Sequence, residues 1–341
     1  RYRSITFQII ALFLLCLAVG YLISNLLINL RAAGLNISYD FLAEPAGYDI
    51  NQRPIEYTSQ STHLRASIVG VLNTLIVAIL ACATATVFGV IAGILRLSKN
   101  WLVSTIMAIY VEVFRNVPVL IWIIIIFTIM TAAMPAPKAF RGANAESSML
   151  FDMFAFTNRG VYIPAPQFSN ALFENGFLNW VLVIAFLLVS FLCAKALRKK
   201  ASAQQARTGQ RPTTWHLSLA IWLIPVGALM VLMGLYFDYP ALKGFNFKGG
   251  MQIRGSLIAL WFALAIYTGA FIAENVRAGI LSVSRGQTEA ASALGLRPNR
   301  IMNLVILPQA LRVIIPPMIS HYLNITKNSS LAIAVGYMDV T

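Results

Sequence analysis

Seven stretches of the chain are apolar and long enough to cross a hydrocarbon core about 30 Å thick, which takes roughly 20 helical residues. They run over residues 5–30, 66–95, 102–133, 178–196, 216–237, 256–280 and 301–323, and an eighth, shorter run covers 331–341. Backbone polar groups cannot stay unpaired in lipid, so spanning segments are helices or strands of a closed barrel. The residue-by-residue alternation of barrel strands is missing. The pattern therefore predicts an all-α, polytopic membrane protein of about eight transmembrane helices, the last one cut.

Composition supports a lipid-dissolved chain: of 341 residues, 58% are apolar and 11% charged, against about 25% charged in a soluble domain. Cys16, Cys82 and Cys193 lie in apolar segments without paired spacing or a nearby His. They read as small core residues. The formal charge of +14 could suggest nucleic acid, but the bases sit in short connecting segments without interleaved aromatics. No nucleic-acid partner is expected, and the bases instead set orientation. With Arg1 cytoplasmic and the spans alternating, the inside segments hold thirteen Lys and Arg, including Arg1, Arg3 and Arg211, against the single acid Glu289. The outside segments hold nine bases against eight acids. A multi-pass protein with its N-terminus inside is expected. The chain opens on Arg1 and closes on Thr341 within an apolar run, so residues beyond both ends are expected.

Two outside segments are long, 31–65 and 134–177. The second, rich in Pro, Gly, Asn and aromatics, is expected to form a folded cap. The basic inside segment 195–214 is expected to be mobile. Trp101, Trp180 and Trp215 lie near span ends and read as interfacial anchors. Gly89 and Gly93 form a G-x-x-x-G pair suited to close helix packing, within the chain or against a second one.

No G-x-x-x-x-G-K-[ST] cradle for nucleotide phosphates and no H-E-x-x-H motif occur, and His63, His216 and His321 are scattered. Catalytic, cofactor and metal functions find no support. One inside loop stands out, 282–300, reading SVSRGQTEAASALGLRPNR. Ser284 and Gln287 have capping-box spacing. Residues 287–294 then predict a helix of about two turns, with Gly295 at C′ and Pro298 barring continuation. Ala290, Ala291 and Ala293 would let another surface approach closely. The loop is either an ordinary amphipathic connector or a knob for a socket on a partner.

The stretch GQTEAASALGLRPNRIMNLVILPQALRVIIPP resembles the EAA loop of ATP-binding-cassette importer permeases, with Glu289-Ala290-Ala291, Gly295 and Ile306-Leu307-Pro308 at that pattern's offsets. YVEVFRNVPVL (110–120) and KNSSLA (327–332) are similar to the polar-amino-acid branch. The resemblance implies a type I importer permease core of five spans, matched here by 66–95, 102–133, 256–280, 301–323 and the run from 331. It divides the chain into a first span and external loop (1–65), the first part of the core (66–133), an insertion carrying two extra spans (134–254), and the second part of the core (255–341) with the coupling loop at 284–300. Such enlargement is similar to the general L-amino-acid branch. What the resemblance implies further is a bacterial inner-membrane subunit that translocates amino acids. Its partners would be ABC ATPase subunits, a second, similar permease forming a heterodimer, and a periplasmic amino-acid-binding protein. ATP and Mg would be bound by the ATPase partner, with no cofactor on this chain. Gly286, Gln287, Glu289, Ala290, Ala291 and Gly295 would make or shape the ATPase contact, Gly295 through a positive φ.

Seven charges lie at membrane depth, where charges are costly and functional by default: Glu112, Arg115, Glu274, Arg277, Arg312, Lys327 and Asp339. Glu112/Arg115 and Glu274/Arg277 are i,i+3 pairs within salt-bridge reach. They either neutralise themselves and lock helix packing, or line a substrate path with Asn116, Asn324, Thr326, Lys327 and Asn328. Pro308, Pro316 and Pro317 interrupt the seventh span, which suits a kinked helix. Two other functions compete: an ion-gradient-coupled secondary amino-acid transporter, which lacks its expected inverted repeat, and a non-transporting scaffold, which needs neither buried charge pairs nor a proline-broken helix.

Overall fold

The computed structural model describes residues 2–34, 38–142, 146–174, 176–210 and 212–339; Arg1 and Arg211, counted above among the inside charges, and Thr341 lie outside the described residues. Two compact units divide the chain, 1–50 with 57–68, and 51–56 with 69–341.

The first unit is built around α1 (Tyr2–Ala32), whose described side chains are exposed nearly throughout. In the following segment the His63 ring lies 5.8 Å from that of Phe41 and 6.0 Å from that of Tyr48. The Tyr57 hydroxyl donates to the Tyr48 carbonyl at 2.8 Å.

The second unit centres on α7 (Gly255–Leu281), which buries residues on every side. α2 (His63–Leu95), α3 (Trp101–Asn116), α4 (Val119–Ala133) and α10 (Leu307–Asn328) complete its core. Small residues permit this packing. A Cβ on Gly89 would sit 2.5 Å from Ile272 Cβ, and one on Gly93 would sit 2.6 Å from the Ala273 carbonyl oxygen. The G-x-x-x-G pair thus packs within the chain, against α7. Hydrogen bonds fix the register: Trp261 Nε1 donates to Thr84 Oγ1 at 3.0 Å, and the Thr86 and Tyr322 hydroxyls meet at 2.7 Å.

Several expectations change. The run 102–133 is not one continuous helix, because α3 and α4 are bent by 105° at a short break. Pro118 lacks an N–H and drives Val117 to extended φ −107°, ψ 131°. The eighth run is not an α-helix among the described residues. Ser329–Val335 is a 3₁₀ turn closed by Gly336 at φ +67°. The chain then returns to α2, where Asn73 Nδ2 donates to the Met338 and Gln52 carbonyls at 2.8 and 3.0 Å and Tyr337 donates to the Asn73 carbonyl at 3.1 Å. Six described helices are long and apolar enough to cross a membrane, or seven with the bent pair counted as one span.

Pro316 and Pro317 sit inside a continuous α10. The irregularity lies earlier, in a π-turn at Met302–Ile306 before Pro308, where Leu307 N–H bonds the Met302 carbonyl. The wider turn makes room for the proline ring.

The insertion adds α5 (Gly176–Thr208) and α6 (Trp215–Leu232), which pair chiefly with each other. α5 continues through most of the basic segment expected to be mobile. The cap is folded, and the described residues of the insertion contain seven short strands. β1 (Ala155–Thr157), β2 (Gly160–Ile163) and β7 (Met251–Arg254) form an antiparallel sheet in that order. β3 (Ala165–Phe168) pairs with β4 (Leu235–Asp238), and β5 (Ala241–Lys243) with β6 (Asn246–Lys248). Trp180 packs on Phe168 of this cap, with ring centroids 5.0 Å apart, whereas Trp101 and Trp215 are exposed at helix starts. Cys16 and Cys193 lie on exposed helix faces rather than in a core, and only Cys82 is half-buried.

Candidate coupling loop and translocation path

The 282–300 loop folds as α8 (Arg285–Ala293), followed by the short α9 (Pro298–Ile301) with Pro298 at its start. The capping box does not form, since the Ser284 side chain makes no cap bond. Gln287 Oε1 instead accepts from Gln309 Nε2 of α10 at 3.4 Å. The C-terminal prediction is met: Gly295 has φ +74°. Its N–H bonds Ser292 O at 2.9 Å, and Leu296 N–H bonds Ala291 O at 3.3 Å. That double bond pattern is a Schellman motif, which stops the helix and needs the left-handed residue.

α8 is anchored on one side and open on the other. Ala291 is buried, packing toward α9 and the π-turn, while Gly286, Gln287, Glu289 and Ala290 are exposed. Leu294, not singled out from the sequence, is 81% exposed at the helix end. α8 therefore presents glycine, alanine, a carboxylate and a free leucine on a helix slung between α7 and α10. Those two helices are pressed together nearby, where a Cβ on Gly279 would sit 2.3 Å from Ile314 Cγ1.

The intramembrane charges part company. Glu274 accepts from Arg277 Nη2 at 3.0 Å through one oxygen, and the other oxygen is taken by Arg96. Arg96, counted as a loop charge from the sequence, is 13% exposed. Ser104 Oγ of α3 donates to its carbonyl at 3.1 Å. The three-charge cluster thus joins the α2–α3 corner to α7. Glu112 and Arg115 form no ion pair. Arg115 reaches the Phe271 ring of α7, 5.3 Å from its centroid, a favourable cation–π placement. The rings of Phe271 and His321 lie 5.6 Å apart, so α3, α7 and α10 converge there. Asn116 is exposed in the last turn of α3, beside the break. Trp122 stacks on Phe114 at 4.2 Å, and its indole N–H is buried without a partner, as is the Asn275 amide nitrogen.

On α10, Arg312, Pro316, Ser320, Asn324 and Lys327 are all exposed. At 100° per residue they fall within one face of the helix. Asn328 is half-buried where the 3₁₀ turn begins. Glu274 and Arg277 thus belong to a cluster with Arg96, apart from Arg115 at Phe271 and from the exposed polar face of α10.

Comparisons with known proteins agree with this architecture. The family model of the binding-protein-dependent transport system inner membrane component matches residues 216–339. The glutamate/glutamine/aspartate/asparagine transport system permease protein BztB of Rhodobacter capsulatus is 50% identical, over 100% of this chain and 84% of that protein. The chain belongs to the amino-acid ABC transporter permeases. Other relatives of this permease are the putative amino-acid ABC transporter permease protein YhdX of Escherichia coli (42% identity, 99% of this chain and 83% of that protein) and the general L-amino acid transport system permease protein AapQ of Rhizobium johnstonii (40%, 100% and 82%). The permease is the membrane subunit of an amino-acid ABC importer, a transport component rather than a catalyst.

Proposed function

We propose that this permease forms one half of a gated path carrying L-amino acids into the bacterial cytoplasm, with α8 as the docking point for a separate ABC ATPase. The N-terminus is cytoplasmic, a second, similar permease completes the path, and a periplasmic binding protein delivers substrate to the external cap. What supports this reading most is α8 itself: a two-turn helix anchored by Ala291, held between α7 and α10, with Glu289, Ala290, Gly286 and Leu294 exposed. Glu289 pairs with a base on the ATPase, Gly286 and Ala290 allow close approach, and Gly295 shapes the end of the helix. ATP and Mg belong to the partner.

The polar face of α10 is costly against lipid and faces the second permease across the path. Arg312, Asn324 and Lys327 from α10, with Arg115 and Asn116 from the α3 break, give that path a cationic lining suited to a carboxylate. BztB is named for acidic amino acids and their amides, and the same substrate class is assigned here. Glu112, Asn328 and the Glu274–Arg277 pair act at the margins of the path, the last by holding the α2–α3 corner.

The test is ATP hydrolysis in reconstituted vesicles containing the cognate ATPase, the partner permease and loaded binding protein. Loaded binding protein should raise hydrolysis, and Glu289→Lys should reduce that stimulation at least tenfold while the complex stays assembled. Uptake that follows an imposed proton or sodium gradient without ATP would overturn the reading in favour of a secondary transporter.

A further inference from the structure

The importer function makes no use of the groove between α5 and α6, a cavity of about 350 Å³ lying where the apolar part of α5 gives way to its basic part. Phe191, Lys195 and Arg198 line it from α5, at i, i+4 and i+7 and so on one helix face. Ser218, Leu219 and Trp222 line it from α6. The groove is apolar along one wall and cationic at one end. Neither α5 nor α6 contains an acid, so the helices themselves offer no carboxylate to neutralise Lys195 and Arg198.

Ser218 adds an independent observation. It is 1% exposed, and its hydroxyl has no hydrogen-bond partner although it lines the groove. A buried hydroxyl without a partner is unfavourable, and it is satisfied at once by an acceptor oxygen placed in the groove. Two cations and an O–H donor converging on one volume describe a site for a phosphate oxygen cluster. The apolar wall indicates what carries that phosphate. A free anion has no use for Phe191, Leu219 and Trp222, whereas an acyl chain does, and Trp222 is 41% exposed on that wall.

We propose that the α5–α6 groove binds the headgroup phosphate of an anionic phospholipid, with its acyl chain along the Phe191–Trp222 wall. By the orientation proposed above the lipid belongs to the cytoplasmic leaflet, where basic pockets between helices select anionic headgroups. The inserted helix pair, which packs mainly on itself, would then be held partly by lipid.

The experiment titrates the purified importer complex with phosphatidylglycerol or phosphatidylcholine and counts retained lipids by native mass spectrometry, which does not depend on the leaflet assignment. Phosphatidylglycerol should bind at least tenfold more tightly than phosphatidylcholine, and millimolar inorganic phosphate should not displace it. Lys195→Gln with Arg198→Gln should remove that preference. Lys199→Gln with Lys200→Gln, the same charge change on the same helix outside the groove, should keep it. Ser218→Ala should weaken phosphatidylglycerol binding about threefold without lowering the Tm of lipid-stripped protein, since the hydroxyl has no partner to lose there. Equal binding of the two lipids, equal effects of the two double variants, or an unchanged affinity in Ser218→Ala would each overturn the proposal. Displacement by inorganic phosphate would reassign the groove to a free anion.

Discussion

α7 and the α5–α6 pair are all apolar enough to cross a membrane, yet they are packed in opposite ways. In its most apolar stretch α7 is 67% buried by protein, against 22% for α5 and 11% for α6. Lipid is as apolar as leucine, so hydrophobicity inserts a helix without deciding what it packs against. Backbone proximity decides that. α7 presents Gly279 to Ile314 and receives Gly89 and Gly93 of α2 at separations no side chain fits. Gly227 of α6 has nothing within 4 Å of where its Cβ would stand. On the function proposed above, α7, the helix next to the coupling loop, is of the first kind, and the inserted helices are of the second kind.

The largest effect expected from breaking this contrast comes from adding bulk at the close contacts. Gly93→Leu and Gly279→Leu should prevent assembly of the core, and even Gly279→Ala should cost about 1–3 kcal/mol through overpacking. Thermal unfolding of the purified complex checks this, with Gly227→Leu expected to leave Tm unchanged. A smaller effect follows from charge. Arg96→Leu strips one of two guanidiniums from Glu274, a loss of about 1–3 kcal/mol given the cluster's partial burial. Lys199→Leu on α5 should cost under about 0.5 kcal/mol in the same assay. Smallest is Gln309→Ala, which removes the long bond to Gln287. It should cost about 0.5–1 kcal/mol at most and lower ATPase stimulation less than twofold while leaving assembly intact.

Much of this was legible in the sequence because lipid simplifies the problem. Apolar runs and turn chemistry located most helices, and the left-handed Gly295 and the two-turn α8 followed from local rules. What escaped depended on partners far along the chain. Nothing near Arg96 announces Glu274, 178 residues away, and the Glu112–Arg115 spacing allowed an ion pair that gave way to Phe271 across a helix interface. Pro118 was a readable sign of the α3–α4 break, but the unbroken hydrophobicity on both sides of it outweighed one residue. The strands of the cap are three or four residues long and pair segments from both ends of the insertion, too short for alternation to register. Gln287 had a plausible local partner in Ser284 and took a tertiary one in Gln309.

The central claim, that the α7–α10 side forms the path while α5–α6 faces lipid, is tested most directly by water access to single cysteines. With Cys16, Cys82 and Cys193 replaced by Ala, Ser320→Cys and Asn324→Cys on α10 and Leu188→Cys on α5 would be introduced one at a time into the assembled importer. Each would be exposed to a membrane-impermeant maleimide with and without ATP and loaded binding protein. The two α10 positions should be labelled at rates that change at least fivefold with the transport state, while position 188 stays unlabelled throughout. Inert α10 positions together with state-dependent labelling at 188 would contradict it, and would place the path along the inserted helices.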